Sequence, residues 1–271
     1  MSPQRLCKME SIKLNATNGR HEAANIAPET KQEFVPIYIC HGLDTGWARQ
    51  AFHDLNALGV KPNSALSLAM AARDSITRVA RKIERNVPFF RGRVNKVRRQ
   101  LRRTDPHVVT ITALRTACVT FAKGMNGVQY GARPVPVEDA LLSQIEKAAI
   151  DWFMAVAQEI GPAIEDRETN LASAPAVLAA IGAVGSPLAK VDEEVVRRAQ
   201  ANQLASTLRG VNWSRNAAWA GIAGKTSPKG VLSVGGAKEN AYAVYSALTV
   251  PGQPSYNLVR PNQQVAAGTV A

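Results

Sequence analysis

Residues 137–160 read VEDALLSQIEKAAIDWFMAVAQEI. Leu141, Ile145, Ala148, Ala149, Trp152, Phe153 and Val156 recur there at helical spacing, so one long helix is expected with that stripe turned inward. The segments behind it continue the pattern. Ala174–Val184, Asp192–Leu208 and Lys238–Leu248 read as helices, residues 224–236 as a glycine-marked loop or hairpin, and the chain after Pro251 as a loose tail. Ahead of it, residues 127–136 (GVQYGARPVP) form a connector, and Thr112–Lys123 reads as a helix stopped by Gly124.

The front of the chain differs. Glu33–Cys40 (EFVPIYIC) is nearly continuous in apolar residues and reads as a buried strand, with Pro36 marking an edge or bulge. Asp44–Leu58 reads as a helix capped by Asp44 and closed by Gly59, with Trp47, Ala48, Ala51, Phe52 and Leu55 as its apolar stripe. Asn63–Ala72 is a short apolar helix or turn. The expected class is α+β, predominantly α: an α/β front segment followed by a helical body.

Composition narrows the function classes. At 271 residues and 46% hydrophobic, the chain can bury a core. Cys7, Cys40 and Cys118 are too widely spaced for a disulfide framework or a zinc site, so a reducing, cytoplasmic compartment is expected. No apolar run reaches the roughly 18 residues of a membrane span. The N-terminus MSPQRLCKMESIKLN lacks the apolar stretch of a secretory signal. Secreted, membrane-spanning and disulfide-scaffold readings drop out.

Charge points to a partner. The formal net charge is +12, and residues 73–103 hold twelve Lys and Arg against Asp74 and Glu84, a local +10. Ile76, Val79, Ala80 and Ile83 give the first half an apolar face, so Asp74–Asn86 is expected as a helix capped by Asp74 and ended by Pro88. Arg78, Arg81, Lys82 and Arg85 then point outward or flank the buried stripe. Val87–Phe90 is an apolar turn, and Arg91, Arg93, Lys96, Arg98, Arg99, Arg102 and Arg103 follow without a clear period. One reading is a continuous phosphate-tracking surface, each cation releasing counterions from a nucleic acid. The other is a solvated face with some arginines paired to distant acids. Double-stranded DNA is the partner expected from the first.

Other candidates for chemistry carry less. Gly224-Lys225-Thr226 resembles the end of a P-loop, but Trp219 stands where the first glycine is needed. His21, His41, His53 and His107 have no metal-ligand spacing, and no metal or cofactor is expected. Asn18-Gly19-Arg20-His21-Glu22 could present backbone N–H groups and a cation to an anion; its plain alternative is a loop with an ion pair. Trp213 and Trp219, beside Arg215, read either as a stacking platform for bases or as core anchors, and the core reading is preferred.

Several segments in order resemble the DndB family, DNA sulfur modification proteins with a DGQHR domain. They are Ala51-Phe52-His53-Asp54-Leu55-Asn56, Val60-Lys61-Pro62, Ala72-Arg73-Asp74-Ser75-Ile76, Val87-Pro88-Phe89-Phe90-Arg91-Gly92-Arg93-Val94, Val109–Leu114 and Asn212-Trp213-Ser214 with Trp219. Ser75 replaces the family's usual proline and Phe89 its leucine. Asn18–Glu22 stands where the name-giving motif belongs, with Gly19 and His21 kept. The resemblance implies a partial ParB/sulfiredoxin-like front segment, the chain starting part-way through that domain. It places the C-terminal part of a DGQHR-type domain at 1–60, a basic helical segment at 61–126, a helical domain at 127–250 and the tail at 251–271.

The resemblance also implies a function: a DNA-binding regulatory or accessory protein of DNA phosphorothioate modification, acting on transcription of the modification genes. Other DNA sulfur modification proteins and further copies of the chain are the protein partners considered. The alternative is a ParB-related nucleotide hydrolase serving a DNA-modification complex, with Arg20, His21 and the 73–103 arginines on phosphates. A third is a structural subunit docking an acidic protein. The shortened front domain favours the first, as a nucleotide site built there would lack walls.

Overall fold

A computed structural model describes residues 44–58, 74–98, 100–102, 104–228 and 230–261, with the side chains of 54–58 and 139 left aside. The strand expected at 33–40, the helix expected at 63–72 and the 18–22 motif lie outside the described residues. The chain divides into two compact units, Met1–Ala48 and Arg49–Ala271. Asp44 Oδ1 accepts the Trp47 backbone N–H at 2.7 Å and opens helix α1 (Thr45–Leu58), as its capping chemistry requires.

The second unit is predominantly helical. Helix α2 (Ser75–Asn86) is capped by Asp74, whose Oδ2 accepts from Thr77 N at 3.1 Å. A 3-10 turn at Pro88–Phe90 ends it and sets the Phe89 and Phe90 rings edge to face, 5.0 Å apart. Strand β1 (Val94–Asn95) pairs in parallel with β2 (Val109–Thr110), Val94 facing Val109. Helix α3 (Ile111–Lys123) follows, capped by Thr110 and closed by Gly124 at φ 69°. That φ lies in the region where a Cβ is disfavoured, which is why glycine stops this helix.

Helix α4 (Asp139–Glu165) is longer than its periodicity foretells. It runs through Gly161-Pro162 by bending at Ile160 (φ −129°, ψ 15°), which relieves the clash a proline makes with the preceding turn. Its buried stripe also starts differently. Leu142 is buried and Leu141 exposed; Ile145, Ala148, Ala149, Trp152, Phe153 and Val156 lie inward as expected. Helix α5 (Pro175–Val184) is buried all round and packs on α3 at small residues. A Cβ on Gly182 would stand 2.1 Å from Ala117 O, so only glycine fits that crossing. Trp152 donates to Ile181 O at 3.1 Å and lays its ring on Gly185, fixing α4 to the end of α5.

Helix α6 (Glu194–Ser206) packs on α4, Arg197 reaching Asp151 at 2.8 Å. Strands β3 (Gly224–Thr226) and β4 (Leu232–Val234) form the antiparallel hairpin expected at 224–236, and α7 (Ala237–Thr249) packs on α5. The tail is not loose where it is described. Helix α8 (Pro254–Leu258) leads to buried Val259 and Arg260, whose guanidinium donates to Ala247 O at 2.8 Å and Leu248 O at 3.1 Å. Those are orphan carbonyls in the last turn of α7, so the arginine serves as its cap. Among the described residues the main core runs from Ile76 through α3, α4 and α5 to Val259, and a smaller cluster gathers Val128, Ala176, Ala179 and Ala241.

Candidate nucleic-acid interface

Helix α2 buries Ile76, Val79, Ala80 and Ile83 and so fixes which face its cations take. Arg78, Arg81, Lys82 and Arg85 stand at i, i+3, i+4 and i+7, one stripe roughly 10 Å long. The stripe forms one wall of a pocket of about 490 Å³, and Leu142, Ser143 and Glu146 of α4 form the other. Arg78 and Arg85 are exposed; Arg81 and Lys82 are half-buried. Burial, with the charges of Arg49 and Arg85 beside it, holds the Arg81 guanidinium below its ordinary pKa. Arg49 of α1 thus belongs to the same cationic group, although the sequence places it outside the basic run.

The rest of the run divides by partner. Lys82 pairs with Glu146. Arg93 pairs with Glu165 at 2.7 Å and lies over the Phe89 ring at 4.8 Å. Lys96 reaches Glu84 at 2.8 Å, and Arg98 reaches Asp105 at 2.9 Å. Arg91 is exposed and turned back toward α2, its Nε donating to Arg85 O at 3.1 Å. Arg102 is exposed, while Arg99 and Arg103 lie outside the described residues.

The loop between β1 and β2 is a built structure. Arg167 donates to Asp105 O at 3.1 Å, to His107 O at 2.9 Å and to Arg102 O. Asp105 accepts from the His107 backbone at 3.1 Å and contacts its ring at 2.7 Å. The His107 hydrogen bond, reinforced by Arg98, holds the Asp105 carboxyl below the usual carboxylate range. The described residues of this irregular basic segment are therefore tied by Arg167 and Asp105, which helical periodicity does not single out.

Neither tryptophan is a platform for bases. Trp213 and Trp219 are buried and stack on each other at 5.9 Å, and Trp219 donates to Asn212 O at 2.7 Å. Arg215 serves the same junction, donating to Asn170 O at 2.9 Å. Gly224-Lys225-Thr226 is a hairpin strand and not a phosphate loop. Among the described residues no cluster of three His, Cys, Asp or Glu side chains could hold a metal ion. No described helix is long and apolar enough to cross a membrane.

The sequence profile of the DndB family, described as DNA-sulfur modification-associated, matches residues 10–246, most of the chain. The chain belongs to the DndB family. Comparison with curated proteins and with solved structures finds no match. The family context is DNA sulfur modification, and the stretch shared with DndB proteins contains the whole α2–α4 pocket. It also contains Asp74, the cap of α2, and the buried Arg115 of α3, whose Nε lies 2.6 Å from Asp74 Oδ2. In this DndB chain the cations therefore stand on a helix whose capping aspartate is paired with a buried arginine.

Proposed function

We propose that this protein is a DNA-binding regulatory or accessory protein of DNA sulfur modification that acts in the cytoplasm on double-stranded DNA, as a regulator of the modification genes. The observation that carries this reading is the stripe Arg78, Arg81, Lys82 and Arg85 along one wall of the α2–α4 pocket. Four cations on about two helical turns match the closely spaced charges of a nucleic-acid backbone, and among the described residues no aromatic side chain lines the pocket to hold a base. Binding is thus expected to be backbone-directed, with sequence preference supplied elsewhere.

The surface extends to Arg91 and, beyond it, to Arg93, Lys96, Arg98 and Arg102. Arg93, Lys96 and Arg98 each already face a carboxylate, as Lys82 does, so each gives less to a phosphate than Arg78 or Arg85 does. Arg99 and Arg103 belong to the same proposed surface by their place in the sequence. The test is a titration of duplex DNA followed by fluorescence anisotropy from about 50 to 200 mM salt. With four or five phosphates engaged, affinity should fall on the order of a hundredfold. Absence of binding at the low-salt end overturns the reading.

A further inference from the structure

Among the described residues that line the cationic pocket, one carries a carboxylate. Glu146 rises from the α4 wall, its side chain only 12% exposed, and touches Lys82 Nζ across the groove. The contact bridges 64 positions of sequence, and the other described lining residues are three arginines, Leu142 and Ser143. A carboxylate facing an ammonium inside a row of arginines occupies the place that a phosphate oxygen would take on that ammonium. It also relieves the repulsion among four cations held within roughly 10 Å.

An incoming anion must therefore compete with Glu146 for Lys82. A single phosphate at that point exchanges one anion for another and gains little. A polyanion that also reaches the exposed Arg78 and Arg85 gains further cations and can displace the carboxylate. We infer that Glu146 is a specificity-determining residue of the α2–α4 pocket, a built-in competitor for Lys82 that favours extended phosphate chains over isolated phosphate groups. This rests on the reading that the pocket receives phosphates.

The experiment compares the full-length wild type with Glu146→Gln, Lys82→Met and the double variant, each first checked for an unchanged melting temperature. Duplex DNA binding is followed across salt, and inorganic phosphate and tripolyphosphate are titrated by calorimetry. Removing the competitor frees one phosphate contact. Glu146→Gln should then tighten duplex binding on the order of eightfold at 0.1 M salt and steepen the salt slope by about 0.9. The gain should vanish when Lys82 is methionine, and the preference for tripolyphosphate over phosphate should narrow in Glu146→Gln. Unchanged affinity and slope in Glu146→Gln overturn the inference while leaving the DNA-binding reading intact. So does a gain that persists beside Lys82→Met, as that is only a change in net charge. If no variant binds duplex DNA, the functional reading fails, and the tripolyphosphate titrations alone decide the role of Glu146.

Discussion

Arg115 Nε lies 2.6 Å from Asp74 Oδ2, and both side chains are buried. The same guanidinium donates to Thr77 Oγ1 at 3.1 Å, to Gly131 O at 2.7 Å and to Arg133 O at 2.8 Å. The helix cap of α2, the middle of α3 and the connector before α4 thus meet on one arginine. Its hydrogen bonds go to Asp74 and to backbone and hydroxyl oxygens, which is how a buried charge becomes tolerable. The α2 stripe is aimed by this arrangement.

Removing one partner leaves the other charged and uncompensated. Arg115→Met should destabilise the protein by about 3–5 kcal/mol, read as a shift in the urea midpoint. Asp74→Ala should cost as much or more because the helix cap goes with it. A loss below about 1 kcal/mol in both would mean that the pair contributes little.

Burial alone would raise the Asp74 carboxyl pKa, but the hydrogen bonds from Arg115 and Thr77 and the Arg115 charge hold it below the ordinary carboxylate value. A group with a depressed folded pKa contributes stability that is present above its unfolded pKa. That contribution is lost as pH falls through the folded value. Stability should therefore be flat near neutrality and decline as pH drops below about 4, with a smaller decline in Asp74→Asn. Parallel stability curves for the two proteins between pH 5 and pH 2 would contradict this assignment.

Charge reversal separates Arg78 and Arg85 of the α2 stripe from the cations that face a carboxylate. Arg78→Glu with Arg85→Glu should weaken duplex DNA binding at every sequence and lower the salt slope by roughly two or more. Both side chains are exposed, so the melting temperature should hardly move. Arg98→Glu should have the smaller effect on binding, as Arg98 already faces Asp105. The reverse order of effects would place the interface on the β1–β2 loop instead.

Close packing of α3 on α5 makes a steric prediction. A Cβ at Gly182 would stand 2.1 Å from Ala117 O and 2.6 Å from Thr120 Oγ1, while Thr120 already donates to Ala179 O at 2.6 Å. Gly182→Ala should force the helices apart and cost about 3 kcal/mol, despite alanine's better helix propensity. A stabilised variant in thermal denaturation would show that the contact relaxes freely.

Cys118 is fully buried on α3, and burial pushes its thiol pKa up, away from the reactive thiolate. A short pulse of thiol reagent at pH 8, followed by peptide mapping, should leave Cys118 unmodified until the protein is unfolded. Labelling of Cys118 in the native protein at the rate of a free thiol would disprove this.

Local rules reach three or four residues along the chain, and within that reach the sequence is sufficient. The helical period, the Asp44 and Asp74 caps and the Gly124 stop place α1, α2, α3, α5, α6 and α7 to within a few residues, but not the end of α4 or the short helix α8. The apolar face of Ile76, Val79, Ala80 and Ile83 fixes by subtraction which side of α2 carries its cations. The concentration of charge in residues 73–103 is likewise a property of the sequence alone. Adjacent leucines at the start of α4 mark the limit: Leu141 and Leu142 are both compatible with the period, and only the packing partner decides that Leu142 goes inward.

What the cations face was decided by the tertiary structure. Lys82 meets Glu146, Arg93 meets Glu165 and Arg115 meets Asp74 across long stretches of chain. Arg49 joins Arg81 from another helix. Trp213 and Trp219 stack with each other rather than with a base, and the residues after Pro251 dock because Arg260 caps α7. An ion pair or a cap depends on distance in space, whereas local periodicity constrains only angle about a helix axis. Packing of α2 against α4 converts a run of basic residues into a groove with the Glu146 carboxylate inside it.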